Sequence, residues 1–178
     1  MKKEAHFHTF YGPGWPSQAF LKPYFKTPPE GAISWYPNSG NDSGGLSLEG
    51  LDDTDHLPYG RGRKDIDLSM WGNPELGVLL QYSKIGGGIP RQDWFSKGDM
   101  TKIRQWVRSL HSDPLPIGLF IPFDQAWLAV KEFMETEGKL PTSIEWVSSS
   151  DLPDNTFPEP IWRLPGEADN GWPPLVME

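Results

Sequence analysis

Glycine and proline, 19 of each in 178 residues, make up over a fifth of this chain, and that density constrains the fold more than any other feature. Glycine raises the entropy cost of ordering and proline fixes φ and removes a donor, so the chain favours short strands joined by irregular connections over long helices. The length suits one domain with a real core. With 9 Trp, 9 Phe and 5 Tyr against a modest apolar fraction of 37%, that core should be aromatic-rich.

Periodicity locates the elements. Short extended segments are expected at residues 4–10, 32–36 and 46–51. Residues 65–71 alternate polar and apolar, which places Ile66, Leu68 and Met70 on one face of a half-buried strand. After the turn Gly72-Asn73-Pro74-Glu75, the nearly continuous apolar run at 76–82 reads as a central strand paired with it in a hairpin and ended by Gly86-Gly87-Gly88. Met100, Ile103, Trp106, Val107 and Leu110 recur at helical spacing and predict a helix over 99–110 with Asp99 as N-cap. A second helix starts at Pro122 and Asp124, buries Ala126, Trp127, Val130, Phe133 and Met134, and closes at Gly138. Residues 143–147 form a short alternating strand. The expected architecture is a single α+β domain over 1–150, mainly antiparallel sheet packed against two amphipathic helices. The Pro-rich acidic tail at 151–178 is partly pinned to it by Trp162 and Trp172.

Several chemistries find no support. The absence of Cys excludes disulfides, thiolate metal sites and cysteine nucleophiles, and fits a reducing cytoplasm. No export signal or membrane anchor is read. His6 and His8 share a strand face, and Asp52-Asp53-Thr54-Asp55-His56 resembles the start of a divalent-cation loop, yet the loop lacks the glycine and closing glutamate of a calcium site. The triple glycine has no phosphate-binding pattern around it, and no set of acid, base and nucleophile assembles. A non-enzyme without cofactor or metal is the expectation. A small metal-dependent hydrolase built on His6, His8 and the 52–56 loop is the alternative, together with an acidic adaptor module that recruits a basic partner.

The net charge of −8 is concentrated. Residues 42–56 carry Asp42, Glu49, Asp52, Asp53 and Asp55 with no Lys or Arg, and residues 148–178 carry six carboxylates against Arg163 alone. Such surfaces repel phosphate backbones and steer basic partners, although charge of this kind also serves solubility. Asp52, Asp53, Asp55 and Glu49 are the candidate charged contacts, with Trp35 and Tyr59 as aromatic anchors beside them.

Taken in order, Gly72-Asn73-Pro74-Glu75-Leu76-Gly77-Val78-Leu79-Leu80-Gln81-Tyr82, the triple glycine, Ile121-Pro122-Phe123-Asp124-Gln125-Ala126-Trp127 running on to Phe133, and Leu140-Pro141-Thr142-Ser143-Ile144-Glu145-Trp146 form a pattern. Over about residues 65–147 it resembles the first-numbered immunity-protein family of bacterial polymorphic toxin systems. The resemblance implies a cytoplasmic antitoxin that binds a cognate toxin, often a nucleic-acid deaminase, whose basic nucleic-acid-binding surface the acidic segments would meet, with no direct contact to nucleic acid or membrane. It transfers no catalytic residue. Trp71, Asn73, Trp127 and Trp146 are read as packing residues.

Overall fold

The computed structural model describes residues 1–7, 10–26 and 42–176. In chain order its strands are β1 (Lys2–Phe7), β2 (Phe10–Tyr11), β3 (Ser43–Leu51), β4 (Lys64–Asn73), β5 (Gly77–Ile85), β6 (Gln92–Ser96), β7 (Trp106–Arg108), β8 (Pro114–Pro116), β9 (Phe120–Ile121) and β10 (Trp146–Ser148); the α-helices are α1 (Gln18–Leu21) and α2 (Phe123–Glu135). Eight of these strands form one antiparallel sheet in the order β10-β6-β5-β4-β3-β1-β2, with β9 also paired to β5, and β7 and β8 form a separate hairpin. The class is α+β, as the periodicity indicates. The segment at 32–36, with Trp35, lies outside the described residues.

The β4–β5 hairpin is the centre of the sheet, in register from Asp65 opposite Ile85 to Asn73 opposite Gly77. Its turn is closed by Asn73, whose Oδ1 accepts from the amides of Glu75 and Leu76 at 2.9 and 3.1 Å. Leu68 and Met70 from β4 and Val78, Leu80 and Tyr82 from β5 point to the same face and are buried against α2, whose Ala126, Ala129, Val130 and Phe133 are fully covered. Full burial of each such large side chain stabilises by about 1.5–3 kcal/mol. Tyr82 sits at the middle, with Phe133 edge-on at 6.2 Å and its hydroxyl donating to Gly138 O at 2.7 Å. Trp146 packs on the same ring and donates its indole N–H to Pro141 O at 2.8 Å, which explains the Pro-x-x-x-x-Trp spacing as a closed loop.

Two local expectations change. Helix α2 ends one residue earlier than a left-handed Gly138 would place it: Glu137 takes the left-handed position at φ 52°, and Gly138 follows it with its amide donating to Phe133 O at 2.9 Å. A Cβ on Gly138 would lie 2.3 Å from Leu48 Cδ1, so close packing on β3 requires glycine there as much as the turn does.

The helix expected over 99–110 is instead a 3-10 turn at Met100–Lys102 followed by strand β7. Asp99 does cap its turn, accepting from Thr101 N at 3.1 Å. Beyond it the aromatic and β-branched pair Trp106 and Val107 fits a strand, and β8 supplies the partner with Val107 opposite Leu115. The Ile117 amide also claims the Gln105 carbonyl at 2.8 Å. Met100, Ile103 and Val107 pack on the cluster of Leu79, Phe95, Leu119 and Phe120 while Trp106 bonds to the Thr156 carbonyl, so the apolar spacing at 100, 103, 106 and 107 arises from a turn and a strand.

Strands β6 and β9 share one edge of β5, and Ser96 bridges them. Its buried hydroxyl accepts from Leu80 N at 2.9 Å and donates to Leu119 O at 2.6 Å.

Candidate partner-binding site

Strand β3 reaches the acidic connection through a bulge between Leu48 and Leu51, where Gly50 adopts φ 72°. The Gly50 amide donates to Asp65 Oδ1 at 3.0 Å, and Arg63 closes on the other oxygen of that carboxylate through Nε and Nη2 at 3.0 and 2.9 Å. Asp65 is buried, so this pair, satisfied on both oxygens, anchors both ends of the 52–63 segment. Thr54 adds a second tie, donating to Leu51 O and accepting from Lys64 N at 2.8 Å. Asp52 and Asp53 both take left-handed φ values, 53° and 58°. That conformation strains residues other than glycine.

The acidic side chains emerge from this frame exposed. Asp52 reaches Lys64 Nζ at 2.9 Å and Asp55 lies 4.0 Å from the N-terminal ammonium; both pairs are solvent-screened and hold little energy. Asp53 is exposed with no ion pair among the described residues. Tyr59 is 59% exposed, with the Arg63 guanidinium 5.5 Å from its ring, and Glu49 stands 3.9 Å from the same guanidinium. Glu49, Asp52, Asp53, Asp55 and Tyr59 thus gather on β3 and its connection to β4. Trp35 and His8 are outside the described residues. His6 lies over Gly45, where a Cβ would come within 2.4 Å of its ring, and burial lowers its pKa. Among the described residues no group of three or more His, Asp or Glu is placed to hold a metal ion.

Composition did not reveal a second acidic region, on the sheet face opposite the helices. Asp65, Asp67, Ser69 and Trp71 alternate along β4 on this face, flanked by Ser47 and Glu49 of β3, Gln81 and Ser83 of β5, and Asp93 and Phe95 of β6. Asp93 is fully engaged: it accepts from Ser83 Oγ, from Gln81 Nε2 at 3.2 Å and from Arg91 Nε at 3.0 Å. Asp67 is half-buried, and no side-chain hydrogen bond or ion pair among the described residues reaches it. Burial first, and then the neighbouring Asp65 charge, push its carboxyl up to about 6; Arg91 and Arg63 only partly offset them. The alternation at 65–71 carried the signal for this face, but which carboxylate stays unpaired depends on residues from three other strands.

Toward the other end of the same face a cleft of about 460 Å³ opens beside Trp71, lined by Phe95, Leu115, Phe157 and Pro160. The C-terminal segment forms its far wall. Phe157 stacks on Phe95 at 4.8 Å, Trp106 donates to Thr156 O at 2.8 Å, and Arg108 ties down the carbonyls of Pro160 and Trp162 and the carboxylate of Glu167.

Among the described residues no helix is long and apolar enough to cross a membrane. Comparison with known proteins gave no match to a curated protein and none to a solved structure. Residues 96–148, which run from the Ser96 bridge through the β7–β8 hairpin and α2 to β10, match the family model of Immunity protein Imm1. This is the family that residues 65–147 resemble in sequence, and the match supports an immunity-protein role for the chain.

Proposed function

We propose that this protein is a non-enzymatic, cytoplasmic antitoxin that binds a cognate bacterial toxin and blocks it. The match of residues 96–148 to the Imm1 family carries the reading. The exposed carboxylates of Asp52, Asp53 and Asp55, held outward by the Arg63–Asp65 anchor, support a basic partner and a role in steering it, with Glu49 and Tyr59 beside them and Trp35 as a further contact. A nucleic-acid deaminase toxin fits that charge, since an enzyme that acts on bases presents a cationic surface to the phosphate backbone.

The test is co-expression with the product of the adjacent toxin gene, scored by survival and by co-purification. Protection and a stable complex are expected; a lethal neighbour that is neither neutralised nor bound overturns the reading. Replacing Asp52, Asp53 and Asp55 together by Asn is expected to slow association about tenfold at low salt and little at high salt, measured by stopped-flow or surface resonance. An association rate unchanged at low salt removes the loop from the interface.

A further inference from the structure

The open sheet face opposite the helices is a second, better-structured candidate for contact than the acidic loop. Every other carboxylate on it is already engaged within the chain: Glu4 with Lys2, Glu49 and Asp65 with Arg63, and Asp93 with Arg91, Gln81 and Ser83. Asp67 alone has no partner among the described residues. It stands in the middle of the face, opposite Ser47 on one side and Ser83 on the other. Two positions further along β4 is Ser69, and two beyond that Trp71 opens onto the apolar cleft, where Phe157 remains 43% exposed. At the rise of an extended strand, four residues separate Asp67 from Trp71 by about 13 Å.

We infer, on the immunity reading above, that this face seats an extended basic segment of the toxin, with one apolar side chain in the cleft beside Trp71 and Phe157 and a Lys or Arg about four residues away on Asp67. Three observations converge on that occupant. The unpaired carboxylate calls for a cation, and the surrounding charge favours one, since Glu4, Glu49, Asp65, Asp67 and Asp93 outnumber Lys2, Arg63 and Arg91. The cleft is walled by aromatic rings and by Pro158 and Pro160, whose restricted backbone lowers the entropy cost of receiving an anchor. The distance between the two features matches one stretch of extended chain, so both are reachable without folding of the partner. Asp67, whose carboxyl titrates near pH 6 in the free protein, is half-buried between Ser47 and Ser83 with Asp65, Glu49, Arg63 and Arg91 around it. An arriving cation supplies the compensation that these groups leave incomplete, and the carboxyl should then titrate lower in the complex.

The experiment compares the purified full chain with its Asp67→Asn, Asp67→Lys and Phe157→Ala variants for binding to the toxin domain encoded next to it, by titration calorimetry at pH 7.5. Melting curves and near-ultraviolet circular dichroism serve as controls on the fold. Asp67→Asn is the informative variant, because it removes a charge that strains the free protein. A loss of binding by a variant that melts no lower than wild type cannot come from misfolding. We expect about 30-fold weaker binding for Asp67→Asn, a larger loss for Asp67→Lys and about 10-fold for Phe157→Ala. Wild-type binding with all three variants within twofold of it overturns this inference and leaves the immunity reading standing. If the wild-type chain itself does not bind, the immunity reading fails first, and the assignment of this face falls with it.

Discussion

The two faces of the central sheet solve burial in opposite ways. On the helix side Leu68, Met70, Val78, Leu80 and Tyr82 meet Val130 and Phe133 in a dry contact that needs almost no polar partner beyond the Tyr82 hydroxyl bond to Gly138. On the other side Trp71 and Leu79 join a smaller apolar cluster at one end, but toward the other end the same two strands place Asp65, Asp67, Ser69, Gln81 and Ser83, and stability there depends on charges being paired one by one. The first arrangement tolerates no lost volume; the second tolerates no lost partner. A surface of the second kind can also gain from a partner that comes from outside.

This contrast can be broken at each face, beginning with the largest effect. Phe133→Ala should cost about 3–5 kcal/mol and lower the melting temperature steeply, because the cavity would open beside Tyr82 and Trp15, which their bonds to Gly138 O and Ser47 O hold back from filling it. A loss under 1 kcal/mol in chemical denaturation would mean that the helix face is loosely packed. On the opposite face, Arg63→Ala leaves the buried Asp65 carboxylate with only the Gly50 amide, and a destabilisation of about 3 kcal/mol is expected at pH 7. Asp65→Asn in the same background should recover part of it.

Asp67→Asn should act with the reverse sign. The folded pKa of Asp67 is raised to about 6 from an ordinary 3.8, so the folded protein binds the proton more tightly than the unfolded chain. Its contribution is therefore fully present below pH 4 and lost as pH rises through 6. After allowance for partial solvent screening, Asn should stabilise the protein by about 1–2 kcal/mol at pH 7 and by almost nothing at pH 4. Equal melting of the two proteins across that window would show that Asp67 is effectively solvated. The smallest effect belongs to the exposed loop: the triple Asn replacement of Asp52, Asp53 and Asp55 should leave stability within about 0.5 kcal/mol, since its ion pairs are exposed.

The same contrast explains what could be read from the sequence. The β4–β5 hairpin and α2 were legible because their apolar periods are sustained over a whole element and each has one dry side. The stretch at 99–110 was not, because a capped turn followed by a short strand reproduces a helical stripe over five positions; only pairing with β8, and the close approach of Gly118 to the Asp99 carbonyl, separates the alternatives. The loop carboxylates stood out as a local run of charge. Asp67 was visible only as the polar half of an alternation, since its lack of a partner depends on where Arg63 and Arg91 commit themselves, and both are spent on Asp65 and Asp93.

The matched family segment opens on Ser96, and the bridge that its hydroxyl makes has a kinetic consequence. The Leu80 amide proton is held by a side-chain oxygen where its neighbours along β5 are held by strand carbonyls. Rotation of a single hydroxyl-bearing side chain is enough to release it without unzipping either β6 or β9. In deuterated water that one amide should exchange ahead of the strand around it, and its rate would follow the breathing of the junction at which two separate stretches of chain are joined into one edge.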